Sequence, residues 1–166
     1  MTQKQLVALV RKLIADEQAT GFTEGGNLEQ PEGTQELINY LDRAVDTYSK
    51  RQASAGDIRF MKRATITNGG TLPSDFIMFC GVVPVTVEAG TTNFFGSTGT
   101  MPIRYFARLP YVSSYGENDA LPYEHEYEVV LAALAAIYAL NKHEFEVSQD
   151  LALLGMGGVP SGNTGE

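Results

Sequence analysis

The sequence predicts an α+β fold, mainly α: a helical bundle with an inserted small antiparallel sheet or hairpin, ending in a flexible C-terminal tail. Three observations carry this. From Val129 to Leu140 the run VVLAALAAIYAL holds no charge, so a helix there has no solvent face and is expected to be enclosed by protein. Between about residues 57 and 109 the apolar period shortens from helical to alternating, as in half-buried strands. After Gly155 the chain reads Met-Gly-Gly-Val-Pro-Ser-Gly-Asn-Thr-Gly-Glu, a linker-like composition. Residues 1–155 are expected to form one domain, and 156–166 the tail.

In chain order, Thr2 to Asp16 reads as a first helix, with Leu6, Leu9, Val10, Leu13 and Ile14 on one stripe and Lys4, Arg11 and Lys12 off it. Residues 20–33 are rich in Gly and turn formers and predict a long loop. Thr34 is an N-cap candidate for a second helix through about Ser54, with Leu37, Leu41, Ala44, Val45 and Tyr48 inward and Arg43, Asp46 and Lys50 outward. Ile58, Phe60, Ala64 and Ile66 then alternate with Arg59, Met61, Arg63 and Thr65, and Asn68-Gly69-Gly70 supplies a turn. Val82–Glu88 and Met101–Leu109 read as further strands, joined by a hairpin loop over 89–100. Phe94 and Phe95 stand at the centre of that loop, in a Gly/Thr/Ser setting, and are expected to be exposed: either a protein contact, since aromatic side chains dominate interface hot spots, or local packing. The core helix is expected to stop or kink at Asn141, with a second amphipathic helix from Asn141 to Gly155 whose stripe is Phe145, Ser148, Ala152 and Gly155.

Charge and composition narrow the function classes. The net charge is −8 with a pI near 4.7, and it is uneven. Residues 1–56 carry 6 basic and 8 acidic side chains, 57–109 carry 5 and 3, and 110–166 carry 1 and 9. Gripping nucleic acid through its phosphates needs clustered Lys and Arg, which this balance argues against. The first apolar cluster is interrupted by Arg11, Lys12, Asp16 and Glu17, so no signal peptide is expected and synthesis in a cytosol is. The 12-residue apolar run falls short of the roughly 20 residues of a membrane span. The single Cys80, in Phe76-Ile-Met-Phe-Cys-Gly81, reads as a small hydrophobe.

Catalytic and metal signatures are weak. His125 and His143 do not give two ligands at i and i+4 with an intervening Glu. Ser113-Ser114 lacks the glycines of a nucleophile elbow, and Gly155-Met-Gly-Gly158 follows a helix rather than a strand, unlike a phosphate cradle. The expectation is a non-enzyme without cofactor or metal. By alternation Arg59 and Arg63 share one side of their strand, and Arg104 and Arg108 one side of theirs. A basic sheet face follows, either simply solvated or a head-to-tail contact for the acidic C-terminal third of another copy.

The run Leu72-Pro-Ser-Asp-Phe76, then Met101-Pro-Ile-Arg-Tyr-Phe106, then Tyr127–Leu140 and Asn141–Gly155, resembles the head-to-tail adaptor (connector, or head-completion) proteins of tailed bacteriophages over most of residues 34–155. The resemblance implies a virion protein at the head-tail interface, assembled in the host cytoplasm as a homo-oligomeric ring of about twelve copies. Its implied partners are the portal protein, a tail or nozzle protein, and DNA passing through without specific binding. It also implies that the segment from Met156, including Val159, docks on the portal, and that the loop around Phe94 and Phe95 meets the tail or a neighbour. An acidic channel wall would limit adhesion of the duplex. The alternative is a monomeric protein-binding module that uses the 89–100 hairpin loop.

Overall fold

The computed structural model describes residues 1–14, 31–96 and 99–153, with side chains described over 1–14, 33–96 and 99–142. The fold is mixed α+β. Its helices are α1 (Gln3–Leu13), α2 (Pro31–Ala55) and α3 (His125–Leu153). Between α2 and α3 run β1 (Met61–Thr67), β2 (Phe76–Phe79), β3 (Val85–Glu88), β4 (Thr91–Phe94) and β5 (Thr100–Ala107).

A capping box starts α1: the Thr2 hydroxyl accepts from the Gln5 N–H at 3.3 Å, and the Gln5 side chain accepts from the Thr2 N–H at 2.9 Å. Leu6, Val10 and Ile14 are buried as expected, but Leu13 is half exposed and Arg11 is fully buried. Gln3, Val7 and Arg11 form a second buried row at i, i+4 and i+8. The 112–121 segment packs on the start of that row: the Gln3 amide donates to the carbonyls of Val112 and Tyr115, and the Lys4 N–H to that of Glu117. The predicted reach of this helix to Asp16, and most of the predicted 20–33 loop, lie outside the described residues.

Helix α2 begins three residues before Thr34, at Pro31, because proline fits the first turn, where its missing N–H is no loss. Leu37, Leu41, Ala44 and Val45 are fully buried. Helix α3 runs antiparallel to it, since Thr47 meets Tyr138 at 2.9 Å and Glu36 pairs with Lys142.

Two expectations about α3 are corrected. It passes through Asn141 without a break: asparagine costs a helix interior only about 0.7 kcal/mol, and the Tyr138 and Lys142 contacts hold both sides of it to α2. Nor is the 129–140 run enclosed. Leu131, Ala132, Ala135, Ala136 and Ala139 are buried, while Val129, Val130, Ile137 and Leu140 are 47%, 38%, 51% and 37% exposed.

The sheet has the order β1-β5-β2, antiparallel throughout, and β3-β4 is a separate hairpin. The predicted first strand starts late. Ile58–Phe60 is a 3-10 turn capped by Asp57; Ile58 is 75% exposed, and Phe60 points into the helical core beside Tyr48 and Tyr127. From Met61 the alternation holds, and Ala64 and Ile66 join Ile103 and Tyr105 in a second, smaller core with Phe76, Phe79, Val85 and Phe94.

The predicted 89–100 loop contains a strand. The chain reverses at Ala89 and Gly90 (φ 49° and 80°) and returns as β4. Such a two-residue reversal is normally announced by Asn-Gly or Asp-Gly, and alanine in the first position hides it. The hairpin is held to the turn after β1 by Thr92, fully buried, whose hydroxyl lies 2.7 Å from the Thr67 carbonyl and 3.0 Å from that of Gly70.

Candidate functional site

Of the four arginines expected on one sheet face, the structure brings together two. Arg63 and Arg104 are directly opposite each other in the β1–β5 ladder, and both are exposed. They share their face with Met61 and Phe106, which pack under the helices, and stand one row beyond them. Cys80 extends that row, its N–H donating to the Arg104 carbonyl at 2.9 Å. Burial pushes the Cys80 thiol up, only partly opposed by the Arg104 charge, so it is no activated nucleophile.

The other two arginines are structural. Arg59 lies in the 3-10 turn before β1, not on the strand. Its guanidinium chelates Asp57 at 2.8–3.1 Å and sits 5.5 Å over the Tyr127 ring. The Arg59 hydrogen bonds hold the Asp57 carboxyl below its usual range. Arg108 follows the end of β5, stacks 3.9 Å over Tyr111 and lies 3.9 Å from Asp46. Alternation fails for both because neither belongs to a strand.

The aromatic pair also splits. Phe94 is half-buried in β4 and packs on the second core, against the expectation that it is exposed, because Thr92 and Phe94 share the inward side of the strand. Phe95, one residue on, is 63% exposed. Met156 and Val159 lie outside the described residues, as do the side chains of the predicted Phe145–Gly155 stripe.

An exposed apolar line on α3 was missed in the sequence. Val130, Ala133, Ile137 and Leu140 are all exposed, and their spacing of three, four and three puts them on one line along α3, with Val129 beside it. Such spacing is the seam of a helix–helix contact. Glu126 sits one turn before Val130, and it and Glu124 are exposed. Glu128, by contrast, is buried and pairs with the Met1 ammonium group. Its position three, four and seven residues before Leu131, Ala132 and Ala135 was a legible sign of that burial.

Neither a protein-family model, nor a curated protein, nor a solved structure matches this chain. The chemistry must be judged from the surfaces themselves. Among the described residues no group of three or more His, Cys, Asp or Glu could hold a metal ion. No helix among them is long and apolar enough to cross a membrane. His125 stands 3.4 Å from Glu128, and neither serine of Ser113-Ser114 has a histidine partner among the hydrogen bonds of the described residues. A cleft of about 880 Å³ lies between α1, the start of α2 and the 113–117 segment, with Gln3, Lys4, Ile38, Tyr115 and Glu117 in its walls. The arrangement offers contact surfaces: a charged row on a sheet, one exposed ring, and an apolar line on a helix.

Proposed function

We propose that this chain is a structural subunit of a tailed-bacteriophage virion, a head-to-tail adaptor that forms a homo-oligomeric ring between the portal and the tail or nozzle. On this reading it is a mainly α helical bundle with an inserted sheet, without catalytic activity or cofactor. The observation that supports the reading is the exposed apolar line on α3. A central helix that leaves valine, isoleucine and leucine in water on one face belongs to a protein that completes its packing on another surface. The strong acidity, −8 per chain, fits a ring through which DNA passes without sticking. The segment 156–166, with Met156 and Val159, is the proposed portal-docking element.

The test is the mass of the purified protein by light scattering, alone and with the portal protein of the same phage. A defined oligomer, alone or on the portal, supports the adaptor. A chain that stays monomeric and ignores the portal contradicts it. One observation favours a second reading, a monomeric protein-binding module: Phe95 is 63% exposed beside the β3-β4 hairpin, an aromatic anchor of the kind that dominates binding hot spots. That reading predicts a monomer under both conditions, with binding of a partner lost in Phe95→Ala.

A further inference from the structure

We infer that the Arg63–Arg104 row of one copy receives the Glu124/Glu126 end of α3 from a second copy of the same chain, with the α3 line carried onto the sheet edge beside it. The inference rests on the ring reading and names the contact that would build the ring.

Two like charges facing each other across an antiparallel pair are destabilising. Arg63 and Arg104 occupy such a pair, and no described carboxylate forms an ion pair with either, although Arg59, Lys62 and Arg108 each reach an aspartate. The fold therefore carries an uncompensated cationic row at the uncovered end of a sheet. Beside it the β2 edge is apolar and open: Met78 is 42% exposed, and Val82, just past the strand, fully so.

The α3 surface has the opposite arrangement. Its exposed carboxylates, Glu124 and Glu126, stand at one end; Val130, Ala133 and Ile137 continue from Glu126 along one line, and Glu124 lies just before the helix. Each patch thus presents charge followed by apolar surface, with opposite signs. Two different complementary patches on one chain make a heterologous contact, which propagates head to tail and closes into a ring when the rotation allows. Pairing of α3 with α3 of another copy buries the apolar line but leaves both arginines unpaired, and it closes a dimer. Binding of DNA phosphate to the arginines is disfavoured by the overall charge of −8.

The test uses two exposed double variants of the full chain, Arg63→Glu/Arg104→Glu and Glu124→Arg/Glu126→Arg, compared with the wild type by sedimentation velocity, with and without the portal protein. Each variant alone is expected to weaken self-association by roughly tenfold or more, and an equimolar mixture to recover it, because one variant's reversed row then meets the other's reversed helix end. Circular dichroism melts confirm that both variants fold. A wild type that assembles while the variants assemble equally well overturns this contact and leaves the ring intact. A wild type that stays monomeric with and without the portal overturns the contact and the ring together. Binding of the wild type to a 30-base-pair duplex that is lost in Arg63→Glu/Arg104→Glu, with self-association unchanged, overturns it in favour of phosphate recognition.

Discussion

The Tyr105 hydroxyl donates to one carboxylate oxygen of Asp75 at 2.9 Å, while the Lys62 ammonium holds the other at 2.7 Å. The Asp75 main-chain carbonyl also accepts from the Arg108 N–H at 2.7 Å. One residue ahead of β2 is thereby tied to β1, to β5 and to the chain beyond β5. Tyr105→Phe removes a hydrogen bond to a charged group and is expected to cost about 1.5–3 kcal/mol, read as a fall in the urea midpoint at unchanged slope. Asp75→Ala is expected to cost more, since it also leaves the Tyr105 hydroxyl unpaired.

The same group sets the pH limits of the fold. Burial pushes the Asp75 carboxyl up, but the hydrogen bonds from Lys62 and Tyr105 more than offset this and hold it below 3.8. A carboxyl depressed in the folded state stabilises above its unfolded value and loses that contribution as pH falls through the folded one. Stability is therefore expected to decline below about pH 4. Tyr105 is pushed from 10.0 to about 12 by burial, by its hydrogen bond to Asp75 and by that carboxylate's charge; Tyr123 is raised by burial first and by Asp42 and Tyr115 next. The unfolded chain ionises these phenols near pH 10, so the fold is expected to lose stability from there up through about 12. Urea titrations across pH check both limbs, and Tyr105→Phe is expected to flatten the alkaline one.

Thr92 is the clip of the β3-β4 hairpin. Besides its hydroxyl, its N–H donates to the Gly70 carbonyl at 2.8 Å and its carbonyl accepts from the Gly69 N–H at 2.7 Å. Thr92→Val keeps the shape and deletes the hydroxyl, leaving the Thr67 carbonyl with the Gly70 N–H as its donor. The expected result is a loss of about 0.5–1.5 kcal/mol, with faster amide exchange at Gly69 and Thr92 while α2 and α3 keep their protection.

The two sides of α3 are expected to answer oppositely to mutation. Leu131 is fully buried, and Leu131→Ala should cost about 2–5 kcal/mol. Ile137 is 51% exposed, and Ile137→Glu should change monomer stability by no more than about 0.5 kcal/mol while abolishing self-association. A melting temperature that falls as far for Ile137→Glu as for Leu131→Ala would remove the basis for treating that face as an assembly surface.

The helices were legible wherever one face repeats at the helical period: α2's buried positions Leu37, Leu41, Ala44 and Val45 follow from spacing alone. So was the β1 alternation at Ala64 and Ile66, and the turn at Gly69. The failures share a cause. A run without charge, 129–140, says nothing about which side is covered, because tertiary packing decides that and short alanines line the covered side. Arg11 was placed outward because charge predicts exposure in general, whereas it continues the buried row of Gln3 and Val7. Phe94 was read from the composition of its neighbours, and only the reversal at Ala89 and Gly90 puts it inward. The Arg63–Arg104 pairing needed the register, which joins residues about forty positions apart and is fixed by turn geometry and by which face is buried.

The proposed ring depends on a face of α3 made to meet another copy. The most direct measurement is negative-stain electron microscopy of the purified chain, alone and mixed with the portal protein, scored for end-on views. The proposed ring predicts annular particles with rotational symmetry, lost in Ile137→Glu. Uniform small particles in both samples, at a mass of one chain, would contradict it.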